Sequence, residues 1–87
     1  MEVKRGQVVK SIAGHDKGGF LIVLEVAPPF ALVCDGKRRP LERPKKKKLF
    51  HLAPTATVLS EEALKTNRKM RDALRKEGYL NVKAGRN

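Results

Sequence analysis

"FLIVLEVAPPFALVCDG", residues 20–36, decides how the chain reads. The stretch from Phe20 to Ala27 is almost continuously apolar and rich in branched side chains. A strand covered on both faces has that composition, whereas a half-exposed strand alternates. Pro28 and Pro29 end the run, because neither can donate to a sheet ladder. "FALVCD" then reads as a second strand, and Asp35-Gly36 is a hairpin turn signal.

On the N-terminal side, "GQVVKSI" (residues 6–12) reads as a short strand with Val8 and Ile12 of one parity and Val9 of the other. "AGHDKGG" (residues 13–19) follows as a tight loop, since glycine tolerates positive φ and Asp favours turns. On the C-terminal side, a short strand is expected through Arg39 to Leu41, and "LFHLA" (residues 49–53) is the last strand before Pro54. About five short strands within the first 53 residues predict a mostly β unit, a small barrel or sandwich. A barrel would close the edges of strands this apolar.

The tail changes character. Ser60 is a candidate N-cap, and Glu61 and Glu62 put negative charge at a helix N-terminus. Leu59, Ala63, Met70, Ala73 and Leu74 share one face at helical spacing, with Leu64 off it. Gly78 is the expected stop. The pattern predicts one helix over residues 60–77 and a loose end after it. Its narrow stripe would dock lightly on the β unit or project away. The expected division is a β unit over residues 1–56 and a helical extension over 57–87.

Length and composition bound what such a chain can do. Its 87 residues suit one small domain with a thin core and little room for a deep catalytic cleft. The formal charge is +11, which points to a polyanionic partner. Cys34 is the only cysteine and lies in an apolar run, so it reads as a small buried hydrophobe in a chain without disulfides. "MEVKRG" has no apolar leader, and "GGFLIVL" is too short to cross a bilayer. A cytoplasmic protein is expected.

The charge is concentrated. Residues 37–48, "KRRPLERPKKKK", hold eight of the 20 basic residues and one acid, a net +7. A charged loop that merely aids solubility would not need like charges packed together, since they repel unless an anion neutralises them. Lys37, Arg38, Arg39, Arg43, Lys45, Lys46, Lys47 and Lys48 are therefore candidate contacts to a polyanion. Phosphates along RNA attract such a set, and arginines can also stack on exposed bases. In the loop 13–19, Gly14 and Gly18 would let the backbone approach a phosphate, with Lys17 and His15 beside them and Lys10 on the preceding strand. His51 in "LFHLA" is expected to face outward or toward RNA. An anionic membrane is the competing target, but the chain has no Trp, 3 Phe and 1 Tyr, too few to support interfacial insertion. No Walker loop, metal-ligand set or catalytic pair of acids is evident, so no enzyme activity, metal or cofactor is expected.

"GQVVKSIAGHDKGGFLIVLEVAPPFALVCDG" resembles the KOW motif of ribosomal proteins and transcription elongation factors. Gly6, Val8, Gly14, Lys17, Gly18, the strand to Val26 and the "ALVCDG" ending at Gly36 carry the resemblance, which extends to about residue 54. Phe20 and Leu21 stand where many KOW sequences have another glycine, a departure shared with the archaeal and eukaryotic large-subunit ribosomal proteins of type fourteen-e. "KKKKLFHLAPT" is similar to the segment after the KOW unit in that branch and in small bacterial KOW-domain RNA-binding proteins. The resemblance implies an SH3-like barrel of about five strands, followed here by the C-terminal helix. It also implies RNA binding, to ribosomal RNA above all, with the loop 13–19 facing it. The expected protein is ribosome-associated, beside ribosomal proteins, and monomeric off the ribosome. The rival expectation is an SH3-like protein-interaction module that docks a partner on the tail helix.

Overall fold

In the computed structural model, which describes residues 2–80, the strands are β1 (Gln7–Ser11), β2 (Phe20–Ala27), β3 (Phe30–Cys34), β4 (Lys45–Lys48) and β5 (Leu52–Val58). They form one antiparallel sheet in the order β4-β3-β2-β1-β5. β4 and β5 are its edges and do not pair with each other. The described part is thus mostly β, with one α-helix, α1 (Asn67–Lys76), after the sheet.

The two central strands form where the apolar run placed them. Pro28 and Pro29, joined by a cis peptide bond, make the turn between Ala27 and Phe30, the last pair of the β2–β3 ladder. Leu21, Ile22 and Val23 are all buried, so this half of β2 is covered on both faces. Farther along, Glu25 and Ala27 are exposed. The change follows Leu24, the extra residue between the Val23↔Val33 and Glu25↔Leu32 pairs. Such a bulge bends the strand and increases its twist. The β1–β5 ladder has a second irregularity between Gln7 and Val9, where the Thr55 hydroxyl donates to the Val8 carbonyl at 2.8 Å.

Both faces of the sheet bury apolar side chains. Val8, Ile22 and Cys34 lie in one row across β1, β2 and β3, and Leu64, Met70 and Leu74 cover them. Val9, Leu21, Val23, Ala31, Val33 and Leu52 fill the opposite face, flanked by Val3, Val26 and Leu49. Cys34 sits 3.6 Å from the Met70 sulfur, and desolvation, aided by Asp35, pushes its thiol pKa up to about 12. It is the buried hydrophobe its apolar neighbours implied.

Several sequence expectations need correction. No strand runs through Arg39–Leu41. The Asp35 carboxylate accepts from the Lys37 and Arg39 amides, and the Asp35 and Gly36 amides both donate to the Arg39 carbonyl. That closes the segment into a turn, and Pro40 could not donate to a ladder in any case. Gly36, at φ +82, fits where a Cβ would lie 2.5 Å from the Asn67 carbonyl oxygen. "LFHLA" is not one strand either: Leu49–His51 is a 3-10 turn, and β5 begins at Leu52. β5 passes through Pro54, which an edge strand tolerates, and continues past residue 56 to Val58.

The tail is not a single helix over 60–77. Glu62–Leu64 is a 3-10 turn, and α1 starts only after Thr66, an extended residue whose side chain accepts from the Lys69 amide at 3.0 Å. Ser60 caps the short turn instead, through the Ala63 amide. The break rotates Leu64 out of the helical register that had left it outside the stripe, and it is buried. The helix docks firmly: Met70 and Leu74 are fully buried, each worth about 1.5–3 kcal/mol of transfer free energy. At its end, the Gly78 and Tyr79 amides return to the Arg75 and Leu74 carbonyls. This arrangement suits Gly78 at φ +87. Tyr79 then packs on Phe20 and shares a 2.6 Å hydrogen bond with the Thr57 hydroxyl. Residues 81–87, where the loose end was expected to continue, lie outside the described residues. Among the described residues, no helix is long and apolar enough to cross a membrane.

Candidate nucleic-acid interface

The lysine run was expected in a loop over 37–48. The loop covers residues 35–44, and Lys45–Lys48 is the edge strand β4. Its pairing with β3 sorts the run by parity, because side chains alternate between faces along a strand. Lys45 and Lys47 pair with Val33 and Ala31 and share their face. Lys46 and Lys48 pair with Leu32 and Phe30 and point the other way. Lysines on an edge strand also discourage another chain from pairing with it. Part of the cluster's cause is therefore structural.

Lys47 turns inward. Its side chain is only 7 % exposed, its ammonium donates to the Ala13 carbonyl at 3.1 Å, and it lies 3.9 Å from Asp16 Oδ2. Arg39 Nη2 reaches the same oxygen at 3.4 Å. The Asp16 side chain is itself only 6 % exposed. One buried carboxylate thus ties the 13–19 loop, the 35–44 loop and β4 together. Buried charges persist only when paired and hydrogen-bonded. Arg39 Nε is buried without a hydrogen-bond partner. Arg39 and Lys47 are therefore internal partners, although the sequence placed them among the polyanion contacts. Asp16 itself read only as a turn residue. The signal that marks it is an acid in a loop facing so basic a run.

The remaining candidates divide by exposure. Lys10, His15, Lys17, Lys37, Arg38, Arg43, Lys46 and Lys48 are exposed, as are Gly14 and Gly18, while Lys45 and His51 are half-buried. The Asp16 cluster anchors loops 13–19 and 35–44 to β4, so the exposed cations of these segments ride on one connected scaffold, with Lys46 and Lys48 on the face of β4 opposite Lys47. The loop's amides are less available than its glycines suggested. Lys17, Gly18 and Gly19 donate to the Gly14, Ser11 and Asp16 carbonyls. The loop therefore offers one exposed cation, Lys17, and few free backbone donors.

Aromatic rings lie under several of these cations. The Lys46 ammonium sits 4.6 Å from the Phe30 ring centroid, and Lys48 sits 5.8 Å from that of Phe50. Lys10 lies 5.9 Å from the Phe20 ring. Phe50 is 69 % exposed, and the His51 ring meets it edge-on at 4.7 Å. The sequence reading counts "LFHL" among the buried strands, which needs correction: Leu49–His51 is a 3-10 turn, and it turns the Phe50 ring outward. A shallow hollow of about 290 Å³ beside Lys46 is lined by Glu25, Ala27, Phe30, Ala31 and Leu32.

Other acids fasten these segments and the tail. Asn67 accepts from the Leu41 amide at 2.8 Å and donates to the Glu42 carboxylate at 3.0 Å, which holds the basic loop against the start of α1. That hydrogen bond lowers the Glu42 pKa. Arg5 does the same to Glu61, and Lys69 to Glu62. Among the described residues, no group of three or more His, Cys, Asp or Glu side chains could hold a metal ion. No protein-family model matches the chain, and no curated protein matches it in sequence.

Proposed function

We propose that the chain is a KOW-type RNA-binding domain with an SH3-like barrel, which holds structured RNA, ribosomal RNA above all, through phosphate contacts. The observation that carries this reading is the Asp16 cluster. It anchors two loops to an edge strand, so that exposed Lys17, Lys37, Arg38 and Arg43 of the loops and Lys46 and Lys48 of the strand are held on one connected scaffold, in a chain of net charge +11. Like charges held together this way favour an anion that neutralises them, and RNA binding gains further from release of condensed counterions. Two bulged ladders and the apolar cluster of Val9, Leu21, Val23, Ala31, Val33 and Leu52 on one face support the barrel. Phosphate contacts would position the RNA, so recognition follows its shape more than its sequence. The ribosome-associated role comes from the KOW resemblance.

The rival reading, a module that docks proteins on the tail helix, loses its surface: Met70 and Leu74 are fully buried against the sheet.

The test is salt dependence. Lys46→Ala and Lys48→Ala should each lower the slope of log K against log salt by roughly 0.7–0.9, one phosphate contact apiece. Lys47→Ala should leave the slope nearly unchanged and cost stability instead. Unchanged slopes in the first two variants would end the assignment.

A further inference from the structure

We infer that Phe50 is a stacking platform for an unpaired RNA base. The inference rests on the RNA-binding reading and names the part of the RNA that this edge of the protein takes.

An exposed aromatic on a flexible loop would carry little meaning. Phe50 is placed otherwise. It occupies the middle of the 3-10 turn Leu49–His51, and both ends of that turn are tied to the sheet. The Leu49 amide donates to the Pro29 carbonyl at 2.8 Å, and the His51 carbonyl accepts from the Ile12 amide at 2.9 Å. Leu49 packs against the Val9, Leu21 and Val33 cluster, and Leu52 is buried within it. The backbone under Phe50 is therefore anchored, and the side chain is 69 % exposed. Ile12 and Val58, the other exposed large apolar residues among those described, carry no aromatic ring on which a base could stack.

The ring's neighbours define its ligand. Lys48 projects over it and His51 meets it edge-on. A partner must therefore offer a flat π-face to the phenyl group and negative charge to the adjacent ammonium. An unpaired nucleotide has both in one residue, whereas a base within a duplex has its faces covered by its neighbours. A lone phenyl ring is a poor membrane anchor, so a lipid surface fits less well.

The chain has no tryptophan, so Phe50→Trp creates a single indole reporter in the 87-residue chain. The probes are a short single-stranded RNA, a blunt duplex of the same sequence, and anionic phosphatidylglycerol vesicles. The single strand should quench the indole emission, and the duplex should bind without quenching it. Phe50→Ala should weaken single-strand binding roughly tenfold and leave duplex binding within about twofold. Circular dichroism should show the sheet intact in both variants, since the side chain is outside the core. Unchanged emission at saturation, or undiminished single-strand affinity in Phe50→Ala, overturns the stacking role while leaving the phosphate contacts standing. A blue shift with vesicles and none with RNA overturns it in favour of a membrane. If neither RNA binds the wild-type chain, the RNA-binding reading fails first and this inference falls with it.

Discussion

Asp16 links three segments of the chain through one buried carboxylate. Its carboxylate faces a buried lysine and a half-buried arginine from two other segments. Removing it would leave Lys47 uncompensated, with Arg39 repelling it. Asp16→Ala is therefore expected to cost about 3 kcal/mol, the low end for breaking a buried pair, because both contacts are long. Adding Lys47→Met should restore most of the loss, since an apolar side chain of similar length fills the same space without a charge. Urea denaturation of the two variants decides. A single variant as stable as wild type, or a double variant no better than the single, would show that the cluster is not what holds the loops. The sequence displayed Asp16, Arg39 and Lys47 plainly but not their pairing. A glycine-rich loop and a basic run do not reveal which cations fold inward until β4 fixes its register against β3.

Among the elements, β2 and β3 were legible because their signals were redundant: branched apolar runs, a Pro-Pro break and an Asp-Gly turn all agreed. β4 was not legible, since four lysines have weak strand propensity and the pairing with β3 overrides it. The start of α1 was misread for a different reason. Ser60 and Thr66 are both acceptable caps, and only the tertiary position of Asn67 makes the second one the helix start. Because Asn67 anchors the Leu41 amide as well as Glu42, the helix also holds the basic loop. Asn67→Ala should cost about 1–2 kcal/mol and speed hydrogen exchange at the Leu41 amide. Thr66→Ala should cost about 1 kcal/mol as a lost cap and leave Leu41 protected relative to its own stability. Equal exchange at Leu41 in both variants, after correction for global stability, would separate the loop from the helix.

For the whole molecule, charge balance sets the response to solution conditions. The exposed pairs Arg5–Glu61, Lys69–Glu62 and Arg75–Asp72 contribute little individually. Against them stands the self-repulsion of a chain with 20 Lys and Arg and 9 Asp and Glu. Salt weakens both, so the sign of its effect shows which is larger. We expect the repulsion to dominate: raising the salt from about 20 to about 200 mM at neutral pH should raise Tm. Acid should make the imbalance worse. Glu42, Glu61 and Glu62 have pKa values lowered in the folded state by Asn67, Arg5 and Lys69 respectively. Their stabilisation is thus present above the unfolded carboxylate pKa of about 4.3 and is lost as pH falls through the lower folded values. Over the same window the formal charge climbs toward +20, the full count of Lys and Arg, before histidine is added. The salt-induced rise in Tm should therefore be larger near pH 3.5 than at pH 7, in thermal melts followed by circular dichroism. A fall in Tm with salt at neutral pH would mean that the pairs outweigh the repulsion. The clustered cations would then be satisfied within the fold, and the case that they await a polyanion would lose its physical basis.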